Sequence, residues 1–208
     1  DLTYRISANA VRTAMGSDCV VVGGTVRDGF APGRIDADVT ENEFGLHMRP
    51  TPLYMEVVRC PLAAAASVED IERYPFPDAY APGRFVQAKR DIANYKSDYF
   101  IIGDCELSIF ELAWHLTGMQ EYMVAMAMEE PWVRALNDKA EAWTLGLASQ
   151  LVEAGVDAIW FGEDLGTQTS MLISPDMWRT EFKPRSARMI ASLKKMRPAV
   201  LVIIHSGG

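Results

Sequence analysis

The chain has 208 residues, 49% apolar and 23% charged, with a net charge of -8 and an isoelectric point near 4.9. This is the composition of a single globular domain long enough for a substantial core. An acidic overall field argues against nucleic acid and anionic membrane surfaces as partners and leaves a small molecule as the expected ligand.

Cys19, Cys60 and Cys105 are odd in number, widely spaced and set among apolar neighbours. They read as reduced core thiols of a cytoplasmic protein, and no two have metal-ligand spacing. The longest apolar run, residues 199–204, is far too short to cross a bilayer. Asp1-Leu-Thr-Tyr-Arg5 has neither a signal peptide's apolar core nor a starting Met, so the chain is expected to begin inside a longer sequence.

Apolar spacing over residues 3–15 predicts an amphipathic helix ending at Gly16, followed by a buried strand over 19–22 that stops at Gly23-Gly24. Residues 27–40, with Gly29, Pro32 and Gly33, read as a long loop. Residues 43–49 and 53–58 flank Pro50-Thr51-Pro52 and read as a β-hairpin inserted over a barrel mouth. Ser67-Val-Glu-Asp70 predicts a capped short helix, broken at Pro75-Phe-Pro-Asp78. A helix over 83–95 and a second buried strand over 98–102 follow, the strand ending at Gly103-Asp104. Three helical patterns cover 109–116, 119–128 and 132–154, and their Met and aromatic residues read as core.

Residues 157–161 are a third apolar run, stopping at Gly162, after which a polar loop carries Glu163, Asp164 and Gln168 to Ser174-Pro175-Asp176. Those three residues are a helix start: a cap, a proline at the first helical position and an acid at the positive end of the dipole. Pro184 removes a backbone donor farther along and predicts a kink. The last strand is 199–204, followed by His205-Ser-Gly-Gly208.

Apolar, non-alternating strands separated by helices mean a parallel sheet covered by helices. Four such strands are half of a (β/α)8 TIM barrel, so the expected fold is the first part of a larger barrel, one domain missing its N-terminal start and its C-terminal strands. A doubly wound sheet is the alternative, but no glycine-rich phosphate loop follows any strand. In a barrel the carboxyl ends of the strands share one face, where ligand sites form. Gly24, Asp104, Glu163, Asp164 and His205 all fall at such ends and are the candidate site residues, with Gln168 a further ligand contact. Glu163 and Asp164, adjacent, read as a general acid and base, because crowded carboxylates raise one another's pKa. His47 and His115 read as structural. An exposed 200–204 edge predicts self-association.

Gly162-Glu-Asp-Leu-Gly166, Leu172-Ile-Ser-Pro-Asp-Met-Trp178, Phe182-Lys-Pro184 and Ile204-His-Ser-Gly-Gly208 resemble the uroporphyrinogen decarboxylase superfamily. Asn42-Glu-Phe-Gly45 with Met48-Arg49, and Val68-Glu-Asp70 with Tyr74-Pro-Phe-Pro-Asp78, resemble its cobalamin-dependent methyltransferase-like members. The resemblance implies a TIM barrel, a corrinoid-linked methyltransferase as the expected enzyme and a corrinoid protein as partner. Tetrapyrrole decarboxylation, or a binding barrel without chemistry, are the alternatives. The decarboxylases carry an aspartate where this chain has Gly24. The methyltransferases hold zinc through His-x-Cys and a later cysteine; His205 matches the histidine and Gly207 stands in place of the first cysteine. The resemblance thus implies zinc and a corrinoid for the longer protein, and no cofactor or metal is expected on this chain as it stands.

Overall fold

A computed structural model describes residues 8–207, so the first part of the helix expected over residues 3–15, and Gly208, lie outside the described residues. In chain order, helix α1 (Asn9–Ala14) precedes strand β1 (Cys19–Gly23). Short strands β2 (Gly33–Arg34), β3 (Thr40–Glu41), β4 (His47–Pro50) and β5 (Met55–Arg59) follow, then helices α2 (Val68–Arg73) and α3 (Val86–Tyr95). Strand β6 (Phe100–Cys105) leads to helices α4 (Ile109–Thr117), α5 (Met119–Ala127) and α6 (Pro131–Ala154). Strand β7 (Ala158–Gly162), the single turn α7 (Pro175–Met177), a π-helical turn over Trp178–Phe182, helix α8 (Lys183–Met196) and strand β8 (Leu201–His205) complete it.

Strands β1, β6, β7 and β8 form one parallel sheet in that order, with Val21 beside Ile102, Asp104 beside Trp160 and Gly162 beside His205. Successive side chains alternate across the sheet. Val20, Val22, Ile101 and Ile159 therefore face the helical layer and are fully buried, each contributing roughly 1.5–3 kcal/mol by leaving water. Helix α6 lies against β6 and β7, and Gly103 lets it come close: a Cβ there would sit 3.2 Å from Leu151 and 2.9 Å from Ile159. The other face carries Val21, Ile102, Asp104, Trp160 and His205, which line an open cleft of about 360 Å³ together with Arg12. The architecture is α/β with four adjacent parallel strands, consistent with part of a TIM barrel; among the described residues the sheet does not close.

Several sequence expectations need correction. The stretch read as a long loop contains β2 and the start of β3, which pair with the expected hairpin to make a four-stranded antiparallel sheet. Two-residue strands have no hydrophobic period to betray them. This insertion is anchored beside the end of β1, where the buried Arg84 donates to Thr25 O (2.7 Å) and to Glu43 Oε2 (2.9 Å), and Phe44 packs edge-on against Trp143. Strand β6 runs three residues past the expected end, which puts Asp104 inside the strand rather than after it. Strand β8 starts at Leu201, because Val200 turns back to bond Arg197 O. The cysteines are all free, but only Cys105 is fully buried.

The kink expected at Pro184 takes the form of the π-helical turn just before it. Ser174 caps the start, accepting from Met177 N at 3.1 Å. Lys183 N then bonds Trp178 O, five residues back. One extra residue per turn widens the helix where a proline would otherwise collide with the carbonyl four residues earlier. Beyond it, the buried Arg185 pairs with Asp138 (2.6 Å) and Glu181 (3.1 Å), fixing α8 against α6.

Candidate functional site

The loops after β6 and β7 build the site. At the end of β6 the chain turns sharply through Leu107, whose φ of 57° is left-handed and strained for a side chain of its size. That turn points Glu106 across the sheet end and starts α4 at once. Glu106 Oε2 accepts from Trp160 Nε1 at 2.9 Å, in space that exists because Gly162 has no side chain: a Cβ there would lie 2.6 Å from Glu106 Oε1. Asp104 lines the cleft and accepts from Glu106 N at 3.2 Å.

Glu163 and Asp164, read as a pair, are separated by the strand's own alternation. Glu163 points to the helical side and is buried, its carboxylate set on the first turn of α4. Oε1 accepts from Ile109 N (2.6 Å) and Oε2 from Phe110 N (2.8 Å), while Ser108 Oγ lies 2.5 Å from Oε1 and 2.8 Å from Gly162 O. A carboxylate there is suited to the free amides and the positive dipole end of α4. Burial nevertheless pushes its pKa up to about 7 against those donors, with Glu111 adding to the rise. Its backbone N–H donates to His205 O at 3.0 Å, tying β7 to β8.

Asp164 lies on the exposed side. Its N–H donates to Glu111 Oε1 at 2.9 Å, so a buried α4 carboxylate holds its backbone. Burial raises the Glu111 pKa, and the nearby Asp164 and Glu106 carboxylates push the same way. His205 Nδ1 is 3.3 Å from Asp164 Oδ1, an ion-pair distance, but the ring is turned too far for a linear hydrogen bond. The His205 ring stacks on Trp160 with centroids 5.6 Å apart and planes 20° from parallel.

The structure thus brings together Asp104, Asp164 and His205, and adds three residues that the sequence reading passed over: Glu106, Glu111 and Trp160. The signal for Glu111 was Ser108-x-x-Glu111, a capping-box spacing directly after a strand. Glu163 is at the same strand ends but turned away from the cleft. Gly24 follows β1, and a Cβ there would meet the Phe85 ring at 3.3 Å and Arg84 Cγ at 3.4 Å. Gln168 is exposed at the tip of a turn in which Thr167 N bonds Ser170 O, and it is not among the residues lining the cleft. His47 pairs with Glu41 (3.2 Å), and His115 Nδ1 meets Glu111 O (2.8 Å), both structural contacts.

Among the described residues no three His, Cys, Asp or Glu side chains converge as a metal would require, and Gly207 has no side chain to offer.

A helix-covered parallel sheet with polar groups gathered at the strand carboxyl ends is an α/β arrangement consistent with part of a TIM barrel, a fold in which the loops at those ends carry ligand sites. The family model for uroporphyrinogen decarboxylase (URO-D) matches residues 44–208, and the chain belongs to that family. Its fold is similar to that of a methyltransferase from Methanosarcina mazei, with a TM-score of 0.68 and 18% identity over 98% of this chain. The chain spans 55% of that methyltransferase. No curated protein sequence matches. No helix among the described residues is long and apolar enough to cross a membrane.

Proposed function

We propose that the protein carrying this chain is a corrinoid-linked, methyltransferase-like enzyme of the cytoplasm that takes a small molecule and a methyl-corrinoid protein as substrates. The observation that carries this reading over tetrapyrrole decarboxylation is Gly24. The decarboxylases keep an aspartate at the corresponding strand end, whereas here there is no carboxylate, and the Phe85 ring and Arg84 Cγ pack 3.3 and 3.4 Å from where a Cβ would stand. The methyltransferase fold neighbour points the same way.

The work expected of this chain is binding and orientation. Trp160 and the apolar Val21 and Ile102 form the wall on which a ligand rests, Asp104 and His205 supply polar contacts at the strand ends, and Asp164 stands beside His205. Glu163 and Glu111 hold the frame of α4 beneath them.

The test uses the protein carrying this chain, with methylcobalamin and a thiol acceptor. Loss of the methyl-corrinoid absorbance is the expected result, reduced at least tenfold in Trp160→Ala. Release of coproporphyrinogen from uroporphyrinogen, with no demethylation of the corrinoid, would overturn the reading.

A further inference from the structure

We infer that Glu106 is a positioning residue that sets Trp160 and Asp104 as one recognition element, for a small molecule with an apolar or planar body and a hydrogen-bond donor. The inference rests on the reading of this strand-end cleft as the ligand site. Asp104 and Trp160 are partners across β6 and β7, and both line the cleft. Glu106 joins them. Its backbone N–H donates to Asp104 Oδ1 at 3.2 Å, and its Oε2 accepts from Trp160 Nε1 at 2.9 Å. The carboxylate reaches the indole through the space at Gly162, where a Cβ would lie 2.6 Å from Oε1 and 2.7 Å from Cδ. Those distances are below any ordinary contact, so a side chain at 162 and the present Glu106 carboxylate exclude each other. Being the far end of a flexible side chain, the carboxylate would swing away, and the fold would survive while the contact to Trp160 was lost. Leu107, left-handed at φ 57°, turns the chain directly behind Glu106 and aims it across the sheet end.

An indole has one polar edge, an N–H that only donates. Its χ2 torsion is broad and roughly two-fold, so the ring by itself has two orientations to choose from. Turning it over would carry Nε1 away from Glu106 Oε2. The carboxylate thus selects one orientation, and with it the edge and face that the indole presents to the cleft. Asp104 is set through the same residue, and a carboxylate accepts hydrogen bonds without donating any. The ligand group that meets it is therefore an N–H or O–H donor or an ammonium, while the body of the ligand lies on Trp160, Val21 and Ile102. Arg12, on α1, borders the cleft at its β1 edge, two strands from Trp160, so its charge bears on the other end of the ligand.

The indole N–H is read directly by proton–nitrogen NMR of the protein carrying this chain, labelled with ¹⁵N-tryptophan, with Trp160→Phe assigning the signal. The expected result is a downfield, slowly exchanging signal, retained in Glu106→Gln, whose carbonyl still accepts, and lost to fast exchange in Glu106→Ala and Gly162→Ala. In demethylation of methylcobalamin with 2-aminoethanethiol as acceptor, each Ala variant is expected to raise KM for the thiol about fivefold or more with a smaller change in kcat. Glu106→Gln should recover most of that loss, and Glu106→Ala combined with Gly162→Ala should be no worse than Glu106→Ala alone, because the two changes act on one contact. In the natural chain 3-mercaptopropionate, which carries a carboxylate in place of the ammonium, is expected to show the higher KM. An indole signal unchanged in Glu106→Ala overturns the inference, and so does a fall in kcat at constant KM, or a lower KM for 3-mercaptopropionate. The two Glu106 variants decide the point if Gly162→Ala does not fold. Methyl transfer with a KM indifferent to Glu106 rejects this inference alone, whereas the expected indole signals without methyl transfer reject only the proposed function.

Discussion

Between pH 4.5 and about 7, the ordinary and the raised pKa of Glu163, the folded chain holds a proton at this carboxyl that the unfolded chain has already released. The contacts explain how that proton is kept. Ser108 has one hydroxyl proton and two acceptors, so when it donates to Gly162 O, a protonated Glu163 completes the network by donating to Ser108 Oγ. Because the native state binds more protons than the unfolded state in this window, the contribution of Glu163 is fully present below pH 4.5 and is lost as pH rises through about 7. The loss is on the order of 3 kcal/mol. Glu163→Gln, which mimics the protonated form, should remove that fall, measured as the difference between the two stability-versus-pH curves from urea unfolding; parallel curves would show that Glu163 keeps an ordinary pKa. The sequence carried half of this. Adjacent carboxylates after an apolar run marked the right place, and the alternation of a strand continued past Gly162 could have divided them, since residues 161 and 163 share the helical side. What was not legible was the partner of each, because Ser108 and Glu111 lie more than 50 residues away.

At the scale of elements, two helix features have separable consequences. The C-terminal carbonyls of α2 are capped from another helix: Lys139 Nζ, on α6, donates to Ile71 O at 2.8 Å and to Tyr74 O at 2.6 Å and sits 5.2 Å from the centroid of the Phe76 ring. Lys139→Met keeps the stem and removes the donors, so it should cost about 1–3 kcal/mol and speed amide exchange at residues 71–76 with little change in α3. Gly146 sits in mid-α6, where glycine disfavours a helix by about 1 kcal/mol. The reason is a close crossing, since a Cβ there would lie 2.8 Å from Ala79 Cβ. Gly146→Ala should therefore lower the melting temperature despite its better helix propensity; a rise would show that the 79–80 segment yields freely. The long helices were legible because their apolar period spans several turns, and the caps at Ser67 and Ser174 follow from local spacing. The π-helical turn was not, because Pro184 predicts an interruption but not which hydrogen-bond pattern absorbs it.

For the whole molecule, the parallel sheet has two outer strands, and they are not equally open. Asn9 places its side-chain amide against β1, accepting from Val21 N (2.9 Å) and donating to Val21 O (2.7 Å), as a neighbouring strand would. No comparable guard lies along β8 among the described residues, where Leu201 and Ile204 remain 52% and 51% exposed. Association is therefore expected to run through β8. Sedimentation velocity should show a mass that rises with concentration in the natural chain and stays monomeric in Ile204→Lys; equal behaviour of the two chains would move the contact elsewhere. The parallel, helix-covered sheet was legible from four apolar runs, since burial on both faces leaves no alternation in the sequence. The second sheet was not, because its strands are too short and polar to stand out from a loop.

The stacking of Trp160 on His205 also gives the molecule an optical handle. Two of its five tryptophans lie against imidazoles, Trp160 on His205 and Trp114 on His115. Only Trp160 borders the cleft. The difference spectrum between the natural chain and Trp160→Phe is thus a built-in fluorimeter for the site, changing when a ligand displaces water from the indole face. Compounds can be screened for binding by that signal before any turnover assay exists.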